Sequence, residues 1–315
     1  MKTILAAAAT LLTVSAINVQ ASTATFLAFG DSLVDSGNRK IVTEAAGGTW
    51  PEAVYPGGNF TNGASWATQL GLTPSLAGGT NYAYGGARTI YNDDPWPELF
   101  KQIRAFEESG VQVDQNTSAA IWVGGNDFLG LDEDATPADI AQTIEYVVFK
   151  IAAGVSDLYQ AGVSNVLVLG LPDFGILPQF AGDPVTSGRA TFLSDNFNAA
   201  LEATLAALNA GLPASDISFF DTDGFFADIL VGLPPELVSV PCLADPAGCA
   251  AMPTNYAIYD DIHPSEWVHT LLAEAIAEEL DLTMVEVIPL PATAPLLLAG
   301  LGGFGLWARR RKSRA

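Results

Sequence analysis

Short apolar runs alternate with long amphipathic stretches through the middle of this chain, and that alternation narrows its fold more than any other feature. TATFLAFG (residues 23–30) is a short apolar run that ends at a glycine followed by aspartate, and it reads as a buried strand. AAIWVGG (119–125), NVLVLGLP (165–172) and DISFFD (216–221) read the same way, and NYAYGG (81–86) is a shorter, weaker candidate. The clearest helix covers 136–162. Thr136 can cap it, Pro137 suits its first position and Gly162 can close its end. Ile140, Ile144, Val147, Ile151, Val155 and Leu158 form one apolar stripe along it. Residues 187–211 repeat the type, with Phe192, Phe197, Leu201, Leu205 and Leu208 expected inward, and 264–280 form the last helix. Strands that alternate with helices build a parallel sheet covered on both faces, an α/β fold.

No internal repeat and no long linker interrupts the pattern before about residue 283, so one domain is expected there. Hydrophobic residues make up 49% of the 315, enough for a sizeable core. Three segments, 39–62, 173–188 and 232–259, lack periodicity and are rich in glycine and proline. Loops of that length commonly serve as lids or substrate walls. The net charge of −22 argues against a nucleic-acid partner, because phosphate binding needs clustered Lys and Arg.

Both ends differ from the middle. Lys2, an apolar stretch over 4–17 and the small-residue ending VQA at Ala21 have the layout of a secretory signal peptide, with a first buried helix as the alternative. At the other end, residues 288–308 carry no charge and are followed by Arg309, Arg310, Arg311, Lys312 and Arg314. That stretch is about long enough to span a bilayer, and the basic cluster would stay on the cytoplasmic side. A plain permanent anchor and a buried terminal helix are the alternatives. Residues 1–21 hold one basic residue, residues 293–315 hold five and neither holds an acid, so trimming both would take the charge from −22 to −28.

The cysteines are Cys242 and Cys249, in PCLADPAGCA. Outside the cytoplasm a pair this close is expected to form a disulfide closing a small loop, with two free thiols as the alternative. Zinc would need more ligands than these and the two histidines, His263 and His269.

In an open α/β sheet, ligands bind beyond the carboxyl ends of the strands. Asp31 and Ser32 follow the first apolar run, Gly85 and Gly86 the weak one, and Gly124, Gly125, Asn126 and Asp127 the third. Near the end comes YDDIHPSEW, where Asp260 and His263 are three apart just before a helix. One short loop can thus present an imidazole with a carboxylate holding one ring nitrogen, leaving the other as a base for a serine. Each piece alone has a plain reading as a turn or a helix cap. Their joint occurrence in this order after strands is far more specific. His269, six residues beyond His263, is expected to be a surface or packing residue.

The blocks FGDSLVDSGN, NYAYGGAR, VGGND and DDIHPSE together resemble the GDSL, or SGNH, hydrolase family over about residues 24–281. The resemblance implies a three-layer α/β/α, flavodoxin-like fold with a central parallel sheet and ester hydrolysis without metal or cofactor. It implies Ser32 as nucleophile, His263 as base and Asp260 as its orienting acid. Ser32, Gly86 and Asn126 would form the oxyanion hole, with Gly86 aligned in preference to Gly85. A non-catalytic surface or extracellular-matrix binder on the same fold is the alternative, and the intact set of residues weighs against it. The substrate would be a lipid acyl ester or an acetylated polysaccharide. Trp50, Tyr55, Phe60, Trp66, Trp96 and Phe128 are candidates to line an acyl pocket or stack on sugars, although most are expected to be packing residues. The tail, with IPLPA at 288–292, resembles the PEP-CTERM sorting signals in their VPLPA variant. That implies an exosortase-type protease as partner, transient membrane attachment through the C-terminal segment, and release to the cell surface or the surroundings. The resulting division is a signal peptide at 1–21, a hydrolase domain at 22–283 and a sorting segment at 284–315.

Overall fold

A computed structural model describes residues 25–282, apart from 92, 94, 132–134 and 235–236. The chain divides into two units, Met1–Leu280 and Asp281–Ala315, and the fold and site below belong to the first. The expected signal peptide, the sorting segment, the uncharged stretch within it and the boundaries at 21 and 283 lie outside the described residues. Among the described residues, no helix is long and apolar enough to cross a membrane.

Four strands form one sheet: β1 (Phe26–Gly30), β2 (Ser118–Trp122), β3 (Asn165–Leu169) and β4 (Asp216–Phe220). Their spatial order is their chain order, and every pairing is parallel, with Phe26 opposite Ser118, Ser118 opposite Asn165 and Asn165 opposite Asp216. All five residues of β2 are buried, as a strand covered on both faces must be.

The helices are α1 (Asn38–Ala45), α2 (Trp66–Gln69), α3 (Leu99–Ser109), α4 (Gly125–Leu129), α5 (Pro137–Gln160), α6 (Pro178–Ala181), α7 (Pro184–Gly211), α8 (Thr222–Leu230), α9 (Pro246–Ala251) and α10 (Glu266–Glu279). The three crossovers advance in one direction across the sheet, which by the general right-handed rule puts α3, α5 and α7 on the same face, and α5 packs against both others. On the other face α2 packs against α10. The fold is thus α/β with helices on both sides of a parallel sheet. On α5, Thr136 and Asp139 form a reciprocal capping box, Pro137 opens the helix and Gly162 follows its end at φ +98°. The six residues of its apolar stripe are all buried, each contributing about 1.5–3 kcal/mol of hydrophobic stabilisation.

Three expectations need correction. NYAYGG is not a full strand. Residues 80–84 run beside β1 through Ala28 N–H to Thr80 O (3.1 Å), Tyr82 N–H to Ala28 O (2.7 Å) and Tyr84 N–H to Gly30 O (3.1 Å). The Asn81 side chain accepts from Ala83 N–H and Asn38 donates to Ala83 O, so side chains replace the rest of a ladder. Phe192 does not face inward and is 49% exposed. The buried face of α7 runs through Ala190, Leu193, Phe197, Leu201 and Leu205, and Phe192 lies one residue off that stripe. Finally, 39–62 is not all loop. The Asp35 carboxylate accepts the N–H groups of Gly37, Asn38 and Arg39 and so starts α1 directly after the serine turn. The other two segments also contain short helices, α6 and α9, and Asp245 caps α9 at Gly248 N–H.

The junction of β1 with the turn after it is tightly built. Gly30 has φ +149°, and a Cβ there would lie 2.0 Å from Trp122 O. Gly30→Ala is expected to destabilise the protein by about 3 kcal/mol or more, read from the midpoint of urea unfolding, because backbone of β2 cannot retreat from the added methyl.

Candidate active site

The site begins where β1 stops. Gln102, 1% exposed on α3, accepts from Gly30 N–H through Oε1 and donates to Gly30 O through Nε2, both at 2.8 Å. Asp31 N–H then donates to Trp122 O at 3.2 Å, and Val34 and Asp35 N–H donate back to Asp31 O. Ser32 is held at the top of this turn, at the carboxyl end of the strand.

A second segment reaches it from the other end of the chain. Residues 257–265 form a tight loop, closed by Ser265 N–H to Ala257 O (2.8 Å) and Tyr259 N–H to His263 O (2.7 Å). Asp260 Oδ1 accepts the N–H groups of His263 (2.8 Å) and Ile262 (2.9 Å). Asp260 Oδ2 lies 2.7 Å from His263 Nδ1, and His263 Nε2 lies 2.8 Å from Ser32 Oγ. Serine, imidazole and carboxylate, 231 residues apart at the extremes of the first contact, therefore form one continuous chain. Burial by itself would raise the Asp260 carboxyl. The hydrogen bond and charge of His263 and the two N–H groups outweigh it and hold the carboxyl down at about 2.

The two glycines after residues 80–84 are distinguishable. Gly85 donates its N–H to Asp35 Oδ2 at 2.9 Å, and its carbonyl accepts from the Arg39 guanidinium, which also stacks on Trp96 at 3.5 Å. Gly86 follows with φ +86°. Asn126, in the first turn of α4, donates Nδ2 to Ala87 O at 3.0 Å, and Asp127 accepts the N–H groups of Thr89 and Ile90. These bonds tie the glycine segment to the end of β2.

Asp31, Ser32, Asn126 and His263 open onto a slot of about 40 Å³ walled by Leu33, Trp122, Leu129, Phe174, Leu177, Phe226, Ile258 and Ile262. None of the six aromatic residues considered from sequence lines it. Trp50, Trp66 and Phe128 are buried in packing, Phe60 packs against Trp50, Tyr55 and His263, and Trp96 lies under Arg39. Tyr55 has a different place, with its hydroxyl donating to Asp260 Oδ2 at 2.8 Å. Gln102 did not stand out as a site residue in the sequence, and Tyr55 did so only as a candidate to line a pocket, not as a partner of Asp260. Gln102 had a signal, a polar residue amid the apolar face of Leu99, Ile103 and Phe106, whereas nothing in the sequence pointed Tyr55 to Asp260. His269 is a packing residue, fully inside and accepting Trp66 N–H at 3.3 Å. Cys242 and Cys249 are joined by a disulfide, and the N–H groups of Cys242 and Leu243 donate to Ile258 O and Tyr259 O, just ahead of Asp260.

Three more carboxyls are buried around the turn. Burial pushes Asp31 up to about 7 and Asp35 and Asp127 up to about 6, against the lowering effect of their backbone donors. Such a group takes up a proton on folding. Its contribution to stability is fully present below the unfolded value of 3.8 and is lost as pH rises through 6–7. His269, held down at about 3 mainly by burial, works against this below its unfolded value of 6.5, but it is one group against three. The contribution of Asp260 is lost only as pH falls from 3.8 through about 2. The thermal midpoint is therefore expected to rise between about pH 8 and about pH 5, measured by calorimetry at constant ionic strength.

Residues 26–276 match the family model of the GDSL-like lipases/acylhydrolases, and residues 287–312 match that of the PEP-CTERM protein-sorting motif. Lipase 1 of Photorhabdus luminescens is 32% identical over 187 residues, 57% of this chain and 27% of the relative. Phosphatidylcholine-sterol acyltransferase of Aeromonas hydrophila is 29% identical over 228 residues, 70% and 64% of the two chains. The secreted effector protein SseJ of Salmonella typhimurium is 28% identical over 266 residues, 78% and 60%. The matched regions thus span less than two thirds of each relative. Among solved structures, an acetylxylan esterase from Geobacillus stearothermophilus is similar at a TM-score of 0.45 and 17% identity, covering 84% of this chain and 96% of that one. Because the family match runs through the whole sheet and both segments of the site, the chain belongs to the GDSL-like lipase/acylhydrolase family.

Proposed function

We propose that this protein is an exported serine ester hydrolase in which Ser32, His263 and Asp260 act as a catalytic triad. The observation that carries the reading is the contact of His263 Nε2 with Ser32 Oγ at 2.8 Å, with Asp260 on the other ring nitrogen at 2.7 Å. His263 takes the Ser32 proton as Oγ attacks the ester carbonyl carbon. The tetrahedral oxyanion is met by the N–H groups of Ser32 and Gly86 and by the Asn126 amide, each donor worth about 3–4 kcal/mol in such a site. Gly85 is committed to Asp35, which favours Gly86 as the glycine donor. His263 returns the proton to the leaving alcohol, the acyl-serine forms, and water activated by the same imidazole releases the acid. Asp260 keeps the ring oriented and stabilises the imidazolium.

The apolar walls of the slot suit the acyl part of an ester and offer a charged group no partner beyond His263 and Asp31. The names of two relatives, a lipase and a sterol acyltransferase, support acyl-ester chemistry. An acetyl group on a polysaccharide is the competing acyl donor. For the ends of the chain, the reading is export through residues 1–21, transient anchoring through 293–308, and cleavage near IPLPA by an exosortase-type protease. The match to a sorting motif at 287–312 supports it.

Purified protein is expected to hydrolyse p-nitrophenyl esters, and a series of acyl lengths set beside acetylated xylan separates the two substrate classes. Ser32→Ala and His263→Ala should each lose about a thousandfold or more in kcat with unfolding midpoints little changed, whereas Asp260→Ala should lose less in kcat but also lower the midpoint, because it leaves the Ile262 and His263 N–H groups without their acceptor. More than about a tenth of wild-type activity in Ser32→Ala would exclude it as nucleophile. Intact mass of protein from native cells is expected to end near residues 289–292. A mass that includes Ala315 would make the segment a permanent anchor.

A further inference from the structure

Asp260 has four acceptor positions, and all are occupied. Oδ1 takes two N–H groups of its own loop, from Ile262 and His263. Oδ2 takes His263 Nδ1 and, at 2.8 Å, the hydroxyl of Tyr55, a residue 205 positions away in the chain. We propose that Tyr55 is a positioning residue of the catalytic triad: its hydroxyl locks the Asp260 carboxylate so that Oδ2 faces the imidazole, and it takes a share of the charge that His263 would otherwise face alone. This rests on the triad reading above.

Tyr55 is built to hold still. Its N–H donates to Pro51 O at 2.9 Å and its carbonyl accepts Trp50 Nε1–H at 2.6 Å, which closes the 50–55 turn on both sides. Its ring packs against Phe60 at 5.3 Å, Tyr259 at 6.1 Å and Trp50 at 6.2 Å, and stands edge-on to His263 at 6.3 Å. Burial, and then the bond to Asp260, push its ionisation well above the ordinary tyrosine range, so it stays a donor throughout the working pH range.

Removing the hydroxyl returns the full carboxylate charge to the imidazolium, which then holds its proton more tightly. The other titratable groups facing this pair are Asp31 from the end of β1, Tyr259 and Asp261 from the same loop, and His269 from α10. All are present in both enzymes and cancel in the comparison.

The test is Tyr55→Phe, which keeps the ring, assayed on a p-nitrophenyl ester across pH beside wild type and Ser32→Ala. The acid limb of kcat/KM is expected to move up by about half a pH unit, and kcat to fall about tenfold with KM within about twofold. An acid limb that stays in place or moves down overturns the proposal. Val54→Ala separates packing from the hydroxyl. Val54 packs against the same cluster of Cys242, Cys249, Tyr256 and Tyr259, and its side chain has no bond to Asp260. It should lower the thermal midpoint and leave the acid limb unmoved, and an equal shift there would assign the effect to packing and sink the proposal. Loss of activity in Ser32→Ala beside an unmoved limb in Tyr55→Phe rejects the tyrosine alone. Retained activity in Ser32→Ala rejects the triad and the tyrosine together.

Discussion

The double hydrogen bond between the Gln102 side chain and the backbone of Gly30 is the interaction on which the site depends. A primary amide has one acceptor and one donor edge, which match the N–H and C=O of a single residue. Here it anchors the last residue of β1 to a helix on one face of the sheet while Trp122 O presses on the same residue from β2. The chain therefore leaves the strand in one direction. The position of Ser32, the accommodation of residues 80–84 along β1 and the approach of the loop carrying His263 all follow from that exit.

Around this junction, charged side chains serve as backbone ligands. Asp35 collects four N–H groups from two segments, Asp127 two and Asp260 two. An irregular turn leaves many donors without a ladder, and each unpaired one would cost about 1–3 kcal/mol when buried. Carboxylates satisfy several at once, at the expense of their own desolvation. Asp260 differs from the others because the group beside it, His263, is hydrogen-bonded to it, whereas His263 near Asp31 and Arg88 near Asp127 act only through their charge and burial outweighs them, so the Asp260 carboxylate stays ionised where those of Asp31, Asp35 and Asp127 are pushed towards protonation.

Most of the fold was legible because it depends on local patterns. Four apolar runs became the four strands, and the stripe and caps of α5 stand where periodicity put them. The serine, the histidine and its aspartate were legible because each closes or opens an element and carries chemistry in its own side chain. What was not legible depends on distant contacts. Phe192 looked like a core residue because its neighbours are, and only the exact phase of α7 turns it outward. The aromatic residues of 50–66 were expected to be mostly packing residues, with a pocket wall as the other possibility, and the sequence could not show that their loop packs over the Asp260 segment and not into the slot. Tyr55 reaches Asp260 across 205 residues, and nothing local marks it. The helix at 38–45 was hidden because its starting signal, Asp35, lies inside the FGDSLVDSGN block, where its neighbours draw attention to the serine.

The slot has a floor and walls of different origin. Its polar floor, Asp31, Ser32 and Asn126, stands on strand ends and the first turn of α4, inside the hydrogen-bonded frame. Much of its wall, Phe174, Leu177, Phe226, Ile258 and Ile262, comes from connections and a short helix beyond the sheet, and the same side chains belong to or pack against the hydrophobic core. Exchanging one of these wall side chains for another of different size therefore changes the slot and the core packing together, while the hydrogen bonds of the frame, made by other groups, stay in place. The shape of the slot and the stability of the fold are thus set by the same side chains, whereas its polar floor is fixed by hydrogen bonds that the walls do not make.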